Sequence, residues 1–194
     1  MTGLFFGSFN PIHTGHLIIA ESLRQQAGLD KVWFVVSPQN PLKESGLLLP
    51  EKDRLHLLKI AIKSNKYFVA SDIEFRLPKP SYTIHTLEMI ARQYPRRKFA
   101  LIMGSDNLHI FRLWKDYKKI LDNYKVLVYD RQQPATPELI KHPNLMFFDA
   151  PYLAISSTMI RQQLTEGKSI RYLVPEKVAA YIQRHRLYSR KKRR

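Results

Sequence analysis

Residues 7–16 read GSFNPIHTGH and stand between two apolar runs, Leu4-Phe5-Phe6 before and Leu17-Ile18-Ile19-Ala20 after. The first run reads as a strand and the second as one face of a helix, so the stretch is a strand-to-helix turn. It holds two glycines, one proline and two histidines three positions apart. Gly7, having no Cβ, is expected to let the chain bend and a ligand come close, and Pro11 sets one φ in the turn. Thr14 is placed as the N-cap of a helix running through Leu17, Ile18, Ala20 and Leu23. His16 then falls in the first helical turn, where free N–H groups and the helix dipole attract an anion, with His13 just outside it. Both imidazoles can donate to that anion without the desolvation cost of two lysines. The physical reading is a phosphate site at a helix N-terminus, its imidazoles aimed at charge that develops during a reaction.

Two plainer readings compete. A His-x-x-His pair can hold zinc, but no third Cys, His or Asp stands at a suitable local spacing. The turn could also be structural, its histidines incidental. The G-x-G-x-x-G fingerprint and the phosphate loop ending in Gly-Lys-Ser/Thr are both absent, which excludes a Rossmann dehydrogenase and a P-loop NTPase.

Working outward, apolar runs rich in β-branched and aromatic residues recur at 3–6, 32–36, 68–70, 99–103, 126–129 and 145–148. Stretches of helical period lie between most of them, at 14–27, 50–64, 83–93 and 116–123. This alternation predicts an α/β fold, a doubly wound parallel sheet with helices on both faces. Two further helices, 156–166 with Ser156 as N-cap and 175–185 with Pro175 near its start, form a helical C-terminal segment. In such sheets ligands bind beyond the carboxyl ends of the strands. GSFNPIHTGH, SPQNPLK, GSDN and DRQQ follow the first, second, fourth and fifth strands and are drawn toward one crevice.

The 194 residues suit one domain, expected over 1–189, with a disordered basic tail at 190–194. The chain has no cysteine and no apolar run long enough to span a bilayer, and no basic residue precedes Gly7. A soluble protein of the reducing cytoplasm is the expectation. Lys and Arg number 32 against 16 acidic residues, a net charge of +16 that favours anionic partners. Seven of the last eleven residues are Lys or Arg. A nucleic-acid-binding protein is the reading from another class, but the aromatics show no repeated stacking pattern and the basic residues no long stripe outside the C-terminus. Deleting 190–194 separates the two: a nucleic-acid binder loses most affinity, an enzyme keeps its turnover.

GSFNPIHTGH resembles the phosphate-binding H-x-G-H motif of the nucleotidyltransferase superfamily, whose adenylyltransferases attack an α-phosphate. Residues 155–161, ISSTMIR, resemble that superfamily's second signature, I-S-S-T-x-I-R. Gly104-Ser105-Asp106 after a strand, Trp114, Ser81-Tyr82-Thr83-Ile84 opening a helix, and the run IRYLVP at 170–175 with Tyr181-Ile182 beyond it are similar to nicotinate or nicotinamide mononucleotide adenylyltransferases. The resemblance covers the chain to about Tyr188 and implies a Rossmann-like fold. It implies transfer of AMP from ATP to nicotinate mononucleotide in NAD biosynthesis, with pyrophosphate released. Nicotinamide mononucleotide is the alternative acceptor; pantetheine phosphate is disfavoured by the length, by Trp114 and by Leu173-Val174-Pro175.

The same resemblance implies roles. His13, His16 and Arg161 are the catalytic candidates, the histidines on the triphosphate and Arg161 on the departing pyrophosphate. Gly7, Ser8, Phe9, Lys43, Gly104, Asp106, Ser156, Ser157 and Thr158 are the ATP- and phosphate-binding candidates. On the mononucleotide side stand Trp114 stacked on the pyridine ring, Thr83 and Lys115 at its substituent, and Arg131 at its phosphate. Mg²⁺ is expected to arrive with ATP, held by phosphates and water, so no protein metal ligand is named. Many relatives carry Asp where this chain has His85, which either changes a contact or faces solvent. A homo-oligomer is one option that the residues leave open.

Overall fold

Each strand alternates between two cores, which is why it reads as a nearly continuous apolar run. In the computed structural model, which describes residues 1–38, 48–130 and 137–188, six strands form one sheet. They are β1 (Thr2–Gly7), β2 (Lys31–Val36), β3 (Phe68–Ser71), β4 (Phe99–Gly104), β5 (Lys125–Tyr129) and β6 (Leu145–Phe148). The order is β3-β2-β1-β4-β5-β6 and every pairing is parallel. Phe5, Phe34, Ile102 and Leu127 point into one core, Leu4, Trp33, Leu101 and Val128 into the other. That is the period of two, with apolar groups buried on both faces.

The first core is closed by α1 (Thr14–Gln26), α2 (Glu51–Ile62), α7 (Ser157–Thr165) and α8 (Glu176–Arg184), through Leu23, Leu58, Ile160 and Ile182. The second is closed by α3 (Thr83–Gln93) and α5 (Tyr117–Asn123), through Leu87 and Ile120. The expected doubly wound α/β fold with helices on both faces and a helical C-terminal segment is therefore present. Strand order reverses between β1 and β4, and a ligand crevice belongs at their carboxyl ends. No described helix is long and apolar enough to cross a membrane.

Four elements have no counterpart in the periodicity: 3₁₀ turns at Ile73–Arg76 and Phe111–Leu113, and short helices α4 (Ser105–His109) and α6 (Pro137–Ile140). Each is about one turn long, too short for a repeating apolar stripe. Gly104 is the N-cap of α4, and Ser105 and Asp106 form its first turn. The N-cap of α1 is His13, with extended backbone (φ −139°, ψ 168°), and Thr14 is already helical. Thr14 is drawn inward because its N–H donates to the Leu173 carbonyl at 2.9 Å and its hydroxyl to the Tyr172 carbonyl at 3.2 Å. The left-handed residue of the opening turn is Phe9 (φ 44°), not Gly7. A Cβ on Gly7 would lie 2.9 Å from the Phe9 ring, so that glycine makes room for Phe9. Ser156 is the N-cap of α7, its Oγ accepting the Met159 N–H at 3.1 Å. The tail at 190–194 lies outside the described residues.

Candidate active site

A cleft of about 970 Å³ opens at the carboxyl ends of β1 and β4. Gly7, Ser8, Phe9, His13 and His16 of the first motif line it, as do Ser156, Ser157, Thr158 and Arg161 of the second. Gly104 and Asp106 come in from the end of β4 and the first turn of α4. Thr83 at the start of α3, Trp114 after the second 3₁₀ turn, and Lys115 line the same cleft. Two predicted site residues, Lys43 and Arg131, lie outside the described residues. His85 is exposed on α3, edge-on to Tyr82 with ring centroids 5.7 Å apart, and does not line the cleft.

The two motifs are hydrogen-bonded directly to each other. Ser157 Oγ donates to the Pro11 carbonyl at 2.9 Å, and Arg161 Nη1 to the Asn10 carbonyl at 2.8 Å. Arg161 Nη2 reaches Thr158 Oγ1 at 3.2 Å, which lays the guanidinium along the mouth of α7. Segments about 150 residues apart are thereby held as two lips of one opening.

Within the first lip the imidazoles lie face to face, ring centroids 3.6 Å apart and planes at 27°. The His13 backbone N–H donates to His16 Nδ1 at 3.3 Å. An acceptor Nδ1 assigns the proton of the neutral ring to Nε2, so His16 presents a donor at its far edge. Phe9 packs against the same ring edge-on at 5.2 Å, which restricts its rotation. Gly15 suits this packing: a Cβ there would stand 3.1 Å from His13 Nδ1, and the imidazole would have to give way by a few tenths of an ångström. The first turn of α1 is less open than its sequence implies, since the Thr14 N–H is taken by Leu173 and the His16 N–H by the His13 carbonyl at 3.0 Å. The side chains, more than free helix amides, carry the donor function.

Trp114 is partly exposed and packs edge-on against Phe111 at 5.3 Å, an arrangement that holds the indole plane still. Lys115 places its ammonium 4.8 Å from the Tyr82 ring centroid, at the same end. No group of three or more His, Cys, Asp or Glu side chains among the described residues is arranged to hold a metal ion.

The profile of the Cytidylyltransferase-like family matches residues 4–163. A protein of Cytophaga hutchinsonii named "Probable nicotinate-nucleotide adenylyltransferase" is 50% identical over 187 residues, 96% of this chain and 97% of its own length. One of the same name from Flavobacterium johnsoniae is 46% identical over 190 residues, 97% of this chain and 98% of its own. The chain belongs to the nicotinate-nucleotide adenylyltransferase family. Its fold is shared with solved Plasmodium falciparum nicotinic acid mononucleotide adenylyltransferase complexed with NaAD, at TM-score 0.81, 21% identity and 96% coverage of both chains. The same parasite protein complexed with APC superposes at TM-score 0.79 with 20% identity and 96% coverage of both chains.

Three residues of this family member that have no candidate contact to substrate matter to the site's frame. Asn10 is buried; its Oδ1 accepts the Tyr188 hydroxyl at 2.7 Å and the Leu49 N–H at 3.3 Å. Tyr188, from the segment after α8, is thus tied to the first motif. Burial pushes its phenol well above the ordinary range, so it stays a donor at any working pH. Arg54 of α2 is fully buried and clasps four backbone carbonyls at the base of the cleft. Its sequence signal is a cation three and four residues before Leu57 and Leu58, on the apolar stripe of its helix. Tyr188 has no comparable signal, because its partner lies 178 residues away. Tyr188→Phe is expected to lower unfolding stability by about 1–2 kcal/mol, the cost of a lost buried hydrogen bond. Urea denaturation of both proteins measures it, and equal midpoints would show that water satisfies Asn10 instead.

Proposed function

We propose that this protein transfers AMP from ATP to nicotinate mononucleotide, giving nicotinate adenine dinucleotide and pyrophosphate. The observation that carries the reading is the junction of the two motifs: paired imidazoles on one lip, hydroxyls and Arg161 on the other, around one cleft. A triphosphate bound across it meets donors at both ends. The mononucleotide phosphate oxygen, already ionised at neutral pH, forms a bond to the α-phosphorus. The bond from that phosphorus to the bridging oxygen breaks, and pyrophosphate leaves with the electron pair.

No general base is required, so the protein's work is alignment and charge neutralisation. His16 Nε2–H donates to an α-phosphate oxygen as its charge grows, and His13 backs the ring and faces the same phosphates. Ser156, Ser157 and Thr158 offer hydroxyls and first-turn N–H groups to the β- and γ-phosphates, with Arg161 beside the leaving group. Gly104 and Asp106 stand where a nucleotide ribose would pass, and Ser8, Phe9 and Gly7 form the floor. Trp114 is placed to stack on the cationic pyridine ring, with Thr83 and Lys115 at its substituent. Lys43 and Arg131 are assigned phosphate contacts from their motif positions alone. Mg²⁺ enters with ATP as part of the substrate.

The test is pyrophosphate release from Mg-ATP with nicotinate mononucleotide, nicotinamide mononucleotide and pantetheine phosphate in turn. The expected result is rapid release with nicotinate mononucleotide, slower release with the amide and none with pantetheine phosphate. Absence of release with either mononucleotide would overturn the reading.

A further inference from the structure

Glu74, on the 3₁₀ turn after β3, is 2% exposed yet lines the cleft beside Ser81, Tyr82 and Thr83. Thr86 Oγ1 donates to its Oε1 at 2.7 Å and Ser81 Oγ to its Oε2 at 3.2 Å. The Ser37 hydroxyl, just past β2, is a third donor. These partners bracket the first turn of α3 and join it to the end of β2. The nearest cation in the chain, Arg76, and the Lys115 ammonium of the same cleft are both exposed, the neighbouring Asp72 is an exposed anion, and among the described residues no cation pairs with the carboxyl. Burial pushes its pKa above the ordinary carboxylate range while the three hydroxyls pull the other way. A buried carboxyl with its hydrogen bonds made and no counter-ion is stabilised as an anion by any cation that enters beside it.

The acceptor brings such a cation. A pyridine base joined to ribose through its ring nitrogen carries a fixed positive charge, which adenine lacks. We propose that Glu74 is a specificity-determining residue of the acceptor end of the cleft: its carboxylate is the counter-charge to the pyridinium ring. This rests on the reading that Thr83 and Trp114 mark the pyridine end. The nicotinate base is a zwitterion of zero net charge, whereas the nicotinamide base has a net charge of +1. A nearby carboxylate favours the second over the first wherever it sits around the ring, so Glu74 offsets the preference for the acid that Lys115 promotes. It limits how sharply nicotinate is chosen over nicotinamide.

The experiment compares kcat/KM for nicotinate and nicotinamide mononucleotide in wild type, Glu74→Gln and Glu74→Asp. Gln keeps an oxygen acceptor in the same place and loses the charge. Its nicotinate-to-nicotinamide ratio should rise about tenfold or more, the scale of one charge pair at a protein's effective dielectric, and Asp should bring the ratio back toward wild type. A merely structural role lowers both acceptors equally, so a ratio that moves less than twofold overturns the proposal. An inactive wild type would instead defeat the adenylyltransferase reading itself. Should Glu74→Gln fail to fold, calorimetry on wild type with oxidised and reduced nicotinamide mononucleotide decides. The reduced ring is uncharged and Trp114 also favours the cationic ring, so the comparison is repeated in Trp114→Leu: a preference for the oxidised form of about tenfold or more that persists there supports the counter-charge, and equal binding overturns it.

Discussion

His16→Ala is expected to lower turnover by roughly 10²–10³-fold or more, the scale of removing a donor aimed at transition-state charge, while leaving the fold intact. The effect should fall on kcat with little change in KM for ATP. The Nε2–H bond strengthens only as the α-phosphorus takes up a fifth oxygen and charge builds on its equatorial atoms. The ring's two nitrogens can be tested apart. Asn at 16 can still accept the His13 N–H in the manner of Nδ1 (3.3 Å in the native protein) but reaches no further. Gln can set an amide donor near the place of Nε2. His16→Asn should therefore be as inactive as the alanine variant, and His16→Gln should recover part of the rate. Single-turnover pyrophosphate release, with circular dichroism melts as the control for folding, measures all three. A rate unchanged in His16→Ala would remove the mechanism, because His16 is the donor it assigns to the α-phosphate.

Arg54→Met should lower stability by on the order of 3–5 kcal/mol, as when one member of a buried polar set is deleted. The guanidinium donates through Nε to the Leu49 carbonyl at 2.9 Å and through Nη1 to Ser8 at 2.6 Å and Ser37 at 2.8 Å. Its Nη2 reaches Pro38 at 2.9 Å. Burial lowers its pKa, but arginine starts so far above neutrality that it remains charged. Met fills similar volume and donates nothing, so four carbonyls on three chain segments lose their partner together. Lys would not rescue: its ammonium is a compact charge with three donors, and these acceptors are spread around a planar fork. Because Ser8 belongs to the first motif and Ser37 leads from β2 into the cleft, activity should fall with stability. Guanidinium denaturation monitored by tryptophan fluorescence gives the stability, and a loss below about 1 kcal/mol would mean that water or rearranged backbone satisfies those carbonyls.

The same contrast between a local signal and a distant partner runs through the molecule. The six strands and the six longer helices follow from periods of two and 3.6, properties of neighbouring residues that need no knowledge of the rest of the chain. The imidazole pair and the α7 hydroxyls are likewise local, since each set sits within one turn of backbone. Shorter pieces such as α4 and the turn carrying Glu74 escape because one turn holds too few residues to show a period. That His13 and not Thr14 caps α1 has a different reason. The capping capacity of Thr14 competes with the Leu173 and Tyr172 carbonyls, contacts made across the whole length of the fold.

From the residue order alone come the element types, the face each buries, and the side chains able to handle phosphate, since these depend on spacing and on the chemistry of each group. Folding in three dimensions allots the remaining hydrogen-bonding capacity. Arg54, Asn10 and Tyr188 are consumed in bracing the first lip, His16 has its Nδ1 anchored by the His13 N–H on the wall of the cleft, and Glu74 is buried with no cation paired to it among the described residues. That allotment depends on which distant groups arrive within about 3 Å of each other, and hydrogen bonds, unlike apolar burial, work only at that range and along specific directions.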